Sequence, residues 1–238
     1  MKLKVLGSSS KGNCYILEND TEALIIEAGL KYQEVKIALD FNVAKIKGVI
    51  ISHIHGDHAK YTHEYLDGGI KCYANFMTLG KNTENRTKIF EDKKTFMVGN
   101  KFTVYPFPVV HDVPNHSFII KHKDIGSLIF VTDTAYIPTK YKGVNHWMME
   151  CNHDIDIMDK RVAQGLLNEG LAIRIKRSHF GIQTLTKMFN VNDLSDTKSI
   201  TLIHLSEGNS NADMFKKTIQ METGKIVYVA DKGLEVEL

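Results

Sequence analysis

The 238-residue chain carries 30 Lys and Arg against 28 Asp and Glu, a formal net charge of +2, with 43% hydrophobic and 24% charged residues. These are the proportions of a globular protein, and a charge so close to balance does not by itself announce nucleic-acid binding. No apolar stretch approaches the roughly 20 residues that span a bilayer, and the start, MKLKVLGSSSKGN, has no apolar signal-peptide core, so a cytoplasmic protein without membrane contact is expected. Cys14, Cys72 and Cys151 are odd in number and far apart, which predicts reduced, buried thiols rather than a disulfide framework or a zinc ribbon. With no repeats, no low-complexity tracts and only 4 Pro, one continuous domain over 1–238 is expected.

In chain order, LKVL, CYILEN and EALIIEA read as short strands, with GSSSKGN as a tight turn between the first two. LKYQEVKIALDF predicts an amphipathic helix with Tyr32, Val35, Leu39 and Ile37 apolar. KGVIIS is a buried strand delivering His53, and Asp57 opens a predicted helix through DHAKYTHEYLDGG, since aspartate suits a helix N-terminus. IKCYA, KFTVYPFPVV, HSFIIKH and SLIFVT continue the strands. After TDT, HWMMECN reads as a strand and DIMDKRVAQGLLNEGLAIRIKR as helix broken near Gly165 and Gly170. GIQTLTKMFNV and NADMFKKTIQMETG are helices, SITLIHL, KIVYVA and LEVEL strands. Strands dominate early and alternate with helices later, which predicts an α/β fold of two sheets covered by outer helices.

The chemistry concentrates in ISHIHGDH, residues 51–58. Along an extended segment His53 and His55 point the same way and can converge on one ion, while Asp57 and His58 lie at a helical turn and can face a second. Imidazole and carboxylate suit zinc, and manganese or iron with less preference. His111, Asp133 and His204 recur in one setting: each follows an apolar strand, where a crevice can form at the sheet edge.

This series, HxHxDH followed by an isolated His, an Asp in TDT and a late His, resembles the metallo-β-lactamase superfamily, whose fold is a four-layer αββα sandwich. Aspartate at 133 resembles its phosphodiesterase and thioester-hydrolase branches. GSSSKGN, HD at 111–112, TDT at 132–134, ECNHD at 150–154 and HLSEGN at 204–209 look like the YycJ/WalJ group of DNA exonucleases. They look still more like short phage and prophage members that include the anti-Pycsar enzymes, which hydrolyse cyclic nucleotides. The resemblance implies His53, His55 and His111 on one divalent ion and Asp57, His58 and His204 on the other, with Asp133 bridging. It also implies a catalytic histidine upstream of His204, a place taken here by His179, although SHFG departs from the family's usual form. Glu27 stands where most of the superfamily has an aspartate supporting the ligands from behind.

Two ions so held would lower the pKa of a shared water toward neutrality. Asp57 would accept a proton from the water as well as bind metal, and His179 would protonate the leaving 3′ oxygen or hydrogen-bond a non-bridging oxygen. Arg174, Lys176 and Arg177 precede His179 and could steer an anion. Ser9 and Asn13 are candidates to line the pocket, whereas His63, His116, His122 and His146 read as surface or structural and His153 as a supporting residue at most. The expectation is a dinuclear phosphodiesterase, zinc ahead of manganese, acting on small nucleotides, foremost 3′,5′-cyclic mononucleotides in phage-type evasion of immune signalling, in a host cytoplasm if phage-encoded. The alternative is an exonuclease with the same metals; further from the pattern stand a thioesterase or glyoxalase-like hydrolase and an inactive metal-binding protein. The resemblance also implies a homodimer.

Overall fold

A computed structural model describes residues 1–80 and 85–238. The first sheet holds β1 (Lys2–Ser9), β2 (Gly12–Glu18), β3 (Ala23–Ile26), β4 (Ile46–Ile50), β5 (Cys72–Ala74), β6 (Thr87–Ile89) and β14 (Glu235–Glu237), in the order β14-β1-β2-β3-β4-β5-β6. The second holds β7 (Phe96–Val98), β8 (Phe102–Val109), β9 (Asn115–His122), β10 (Gly126–Val131), β11 (His146–Glu150), β12 (Ser199–Ile203) and β13 (Ile226–Val229), in the order β13-β12-β11-β10-β9-β8-β7. Both are mixed: β3 to β6 run parallel, as do β10 to β13, and the remaining pairs are antiparallel.

Side-chain alternation explains the layering. On β10, Leu128 and Phe130 enter the core between the sheets, while Ile129 and Val131 face the opposite way, toward helices. The same division holds on β11, with Met148 inward and Trp147 and Met149 outward. Strands covered on both faces read as continuous apolar runs, which is how SLIFV and SITLI look. Tyr15 and Phe130 meet edge-on across the inner core, their ring centroids 5.7 Å apart. Outside the second sheet pack α7 (Ile182–Asn190) and α8 (Ala212–Thr223), whose Leu185, Phe189, Phe215 and Ile219 are buried. Outside the first pack α1 (Tyr32–Ala38) and α3 (Thr62–Asp67). The architecture is the four-layer αββα sandwich expected from the sequence resemblance.

Some elements differ from the sequence reading. Ile37 is 56% exposed, so α1 buries only Tyr32 and Val35, with Leu39 as its cap. The helix expected to run on from Asp57 is two short ones, α2 (Gly56–Ala59) and α3, and Asp57 is not its cap. The reason is a long-range backbone pairing: the Ala28 amide donates to the His58 carbonyl at 2.8 Å, and the Tyr61 amide to the Ala28 carbonyl at 3.0 Å. Gly29 permits this approach, because a Cβ there would lie 1.8 Å from the Asp57 carbonyl oxygen. Further along, α5 (Ile155–Ala163) and α6 (Glu169–Ser178) are separated at Gly165, with φ of 70°, whereas Gly170 lies inside α6. The strands β6 and β7 and the one-turn α4 (Phe76–Leu79) were not expected. All three cysteines are free and buried. No described helix is long and apolar enough to cross a membrane.

Candidate metal centre

Ends of strands from both sheets supply the site. His53 stands three residues beyond β4, His111 follows β8, and Asp133, Glu150 and His204 lie at the carboxyl ends of the parallel neighbours β10, β11 and β12. Crevices at such strand ends are where α/β sheets hold ligands.

The structure draws all seven expected metal-ligating residues into two overlapping clusters. In the first, His53 Nε2 lies 3.1 Å and His111 Nε2 3.3 Å from His55 Nδ1, and both lie 3.6–3.7 Å from Asp133 Oδ2. In the second, Asp57 Oδ2 is 3.2 Å from both His58 Nε2 and His204 Nε2, and His58 Nε2 is 3.5 Å from Asp133 Oδ2. Tetrahedral coordination with bonds of about 2.0–2.1 Å places neighbouring donor atoms about 3.3 Å apart. The observed spacings match that figure, and the donors are those zinc takes. Both clusters therefore fit a divalent ion, with Asp133 common to the two.

Charge differs between the clusters. Burial, reinforced by His58, holds His53 well below its usual pKa, and burial also lowers His111, so these imidazoles present lone pairs. Burial opposes charge on His204, but Asp133, Asp57 and Glu150 outweigh it and push the group up to about 10. His58 is raised in the same way, against burial, by Asp133 and Glu27. The carboxylates answer: Asp57 and Asp133 stay ionised well below the usual range, because the facing histidines outweigh burial. In metal-free protein, protons on His58 and His204 thus supply the positive charge.

Surrounding groups fix the rings. Ser52 Oγ lies 2.8 Å from His53 Nδ1, leaving Nε2 for the site. Glu27, fully buried, accepts from the Ser52 amide at 3.3 Å and lies 3.6 Å from His58 Nδ1, behind the cluster. The amide nitrogen of Asn13 lies 3.2 Å from His58 Nε2 and 3.3 Å from Asp57 Oδ2. Ser9 does not reach the cleft; Ser10 lines it instead. Glu27, Asp133 and His204 have φ of 70°, 51° and 55°, left-handed values that cost roughly 1 kcal/mol or more for side-chain-bearing residues. Specific bonds hold them there. Asn115 donates to the Asp133 carbonyl at 2.9 Å, and the His204 amide donates to Ser8 Oγ at 2.8 Å.

Glu150 is the residue the sequence reading missed. Fully buried, it holds His179 Nδ1 at 2.6 Å and His204 Nδ1 at 3.0 Å on Oε1, while Oε2 accepts from the Thr134 and Phe180 amides. Its signal was present, since it ends the apolar strand HWMME just as the other site residues follow theirs. With Nδ1 engaged, His179 has Nε2 left for the cavity of about 280 Å³ that it lines with His55, Asp57, His111, Asp133 and His204. Burial opposes its charge, but Glu150 raises it.

Of the three cations expected to steer anions, Arg174 lines this cleft and reaches Asp112 at 3.4 Å. Lys176 pairs with Asp159 at 2.7 Å, away from the cleft, and Arg177 faces a neighbouring cavity. His63 is exposed, while His116, His122 and His146 bond Asp92, Glu22 and Ser199. His153, held neutral by burial with its pKa lowered to about 4, packs under Gly181 next to the His179 turn.

Among the described residues, two seven-stranded sheets close over paired His/Asp clusters, the arrangement of a metal-dependent hydrolase with the metallo-β-lactamase fold. Residues 9–72 match the model of the metallo-β-lactamase superfamily. Among curated proteins the chain is similar to exodeoxyribonuclease WalJ of Streptococcus pneumoniae, 26% identical across 99% of this chain and 91% of that protein. It is also 26% identical to exodeoxyribonuclease YycJ of Bacillus anthracis, over 92% of this chain and 88% of the relative. Among solved structures, the metallo-β-lactamase fold protein YhfI from Bacillus subtilis superposes with a TM-score of 0.74 at 16% identity, covering 99% of each chain.

Proposed function

We propose that the protein, as one domain over 1–238, is a dinuclear phosphodiesterase acting on nucleotides. The observation that carries this is Asp133 Oδ2, within 3.5–3.7 Å of donor atoms from both clusters, beneath a cleft overlooked by His179. His53, His55 and His111 would hold one ion, and Asp57, His58 and His204 the other, with Asp133 shared between them. Two such ions supply charge to the phosphoryl oxygens and an activated water at neutral pH.

The chain's own residues do the rest. Asp57 would orient the attacking water by accepting its hydrogen bond and take up the proton that the water loses as its oxygen bonds to phosphorus, releasing it to solvent. The water oxygen forms its bond to phosphorus in line with the departing oxygen. As the P–O bond breaks, His179 Nε2 passes its proton to that leaving oxygen, and Glu150 holds the ring and offsets its charge. Glu150 also sets His204 with Nε2 toward the ion, the usual arrangement of a carboxylate behind a ligating histidine. His179→Ala is expected to lower kcat about 10²–10⁴-fold while both metals stay bound, measured by kinetics alongside elemental analysis.

For the substrate, 3′,5′-cyclic mononucleotides are favoured by the small size of the cleft, about 280 Å³, just under the usual range for ligand sites. Exonucleolytic cleavage is favoured by the named relatives, whose identity spans nearly the whole chain. Turnover of cyclic mononucleotides without shortening of a 5′-labelled oligonucleotide selects the first, and the reverse selects the second. No turnover of either, nor of bis-p-nitrophenyl phosphate, with zinc or manganese bound would overturn the phosphodiesterase reading. The homodimer belongs to the same proposal, and sedimentation tests it.

Metal loading must displace the protons on His58 and His204. Their folded pKa values lie above the ordinary histidine value. In metal-free protein, the stability they contribute is therefore present below about pH 6.5 and lost as pH rises toward about 10, the value for His204. Zinc affinity is expected to rise with pH over that window, with about two protons released per chain near pH 7. Calorimetry in buffers of different ionisation enthalpy counts them.

A further inference from the structure

Beside the metal cleft, sharing His111 and Arg174 with it, lies a second cavity of about 430 Å³. Its apolar lining includes Val110 and Ile173, which are 55% and 45% exposed, large aliphatic surfaces left open to water at the rim of a polar site. Gly170, in the first turn of α6, also lines it. A Cβ there would lie 3.2 Å from Asn168 Oδ1, the oxygen that caps α6 by accepting from the Leu171 amide at 3.1 Å. Arg174 and Arg177, three apart on α6, both line the cavity. Arg174 reaches Asp112, but Arg177 has no hydrogen bond or ion pair among the described residues.

A cavity that pairs apolar walls with an unspent guanidinium suits a flat ligand with polar edges. Steering an anion would need the charge alone, without the walls. Resting on the phosphodiesterase reading above, we propose that this cavity is the nucleobase subsite. With the phosphate in the metal cleft, the base of the same nucleotide lies against Val110 and Ile173. Arg177 then directs its planar fork at the base edge. A base with adjacent acceptors, such as guanine with O6 and N7, meets that fork in two hydrogen bonds, which a lysine ammonium would not reproduce.

The test is calorimetric titration of the zinc-loaded protein with guanosine 5′-monophosphate and with ribose 5-phosphate, which share sugar and phosphate. The nucleotide is expected to bind about 10-fold more tightly or better. Arg177→Ala should remove most of that advantage and leave ribose 5-phosphate affinity unchanged. Equal binding of the two ligands by the unaltered protein would overturn the proposal, as would an Arg177→Ala variant that weakens both alike. Turnover of bis-p-nitrophenyl phosphate, followed in parallel, reports separately on the parent reading. Turnover without base-dependent binding sinks the subsite alone, and base-dependent binding without turnover sinks the phosphodiesterase and leaves the subsite standing.

Discussion

Asp133→Ala is expected to reduce phosphodiester turnover about 10⁴-fold or more, the scale seen when a catalytic group is lost, and to bring bound zinc well below two per chain. The reason is geometric. Asp133 Oδ2 approaches His53 and His111 on one side and His58 on the other, so its loss opens both clusters together. His55→Ala should also abolish turnover, but it touches only the first cluster, so metal content should fall nearer to one. Parallel elemental analysis of the two variants distinguishes a shared carboxylate from a ligand private to one ion. Equal metal loss in both would contradict the sharing.

Glu150→Ala is the variant with the largest expected effect on stability. Its side chain is fully buried and its two oxygens serve four donors: His179, His204, Thr134 and Phe180. Removing one partner of a buried charged network costs about 3–5 kcal/mol, because the remaining groups stay desolvated without an acceptor. Urea denaturation of metal-free protein should show that loss as a lower midpoint. In the metal-loaded enzyme, Glu150→Gln should keep more stability than Glu150→Ala yet turn over slowly, since an amide does not offset charge on His179. A Glu150→Ala protein as stable and active as the original would remove Glu150 from the account.

The site was more legible in the sequence than its surroundings. His53, His55, Asp57 and His58 crowd one short stretch, and His111, Asp133 and His204 each follow a strand whose apolar run is visible by eye. Glu150 obeys the same rule but was absorbed into the motif ECNHD, and nothing local shows that its carboxylate faces two histidines 29 and 54 residues further on. Long-range pairing also hid the break between α2 and α3, which depends on the backbone of Ala28. The edge strands β6 and β7 have three residues each, too few to show a period. In the run AIRIKRSH, charge was evident but direction was not. Lys176 turns to Asp159 on the preceding helix, and only the folded chain separates it from Arg174 and Arg177.

Diffraction from crystals grown with zinc, recorded on both sides of the zinc absorption edge, tests the two-ion centre most directly. Two anomalous peaks about 3.5–4 Å apart, one on each side of Asp133 Oδ2, are the predicted result. A single peak, or zinc bound away from Asp133, would contradict it.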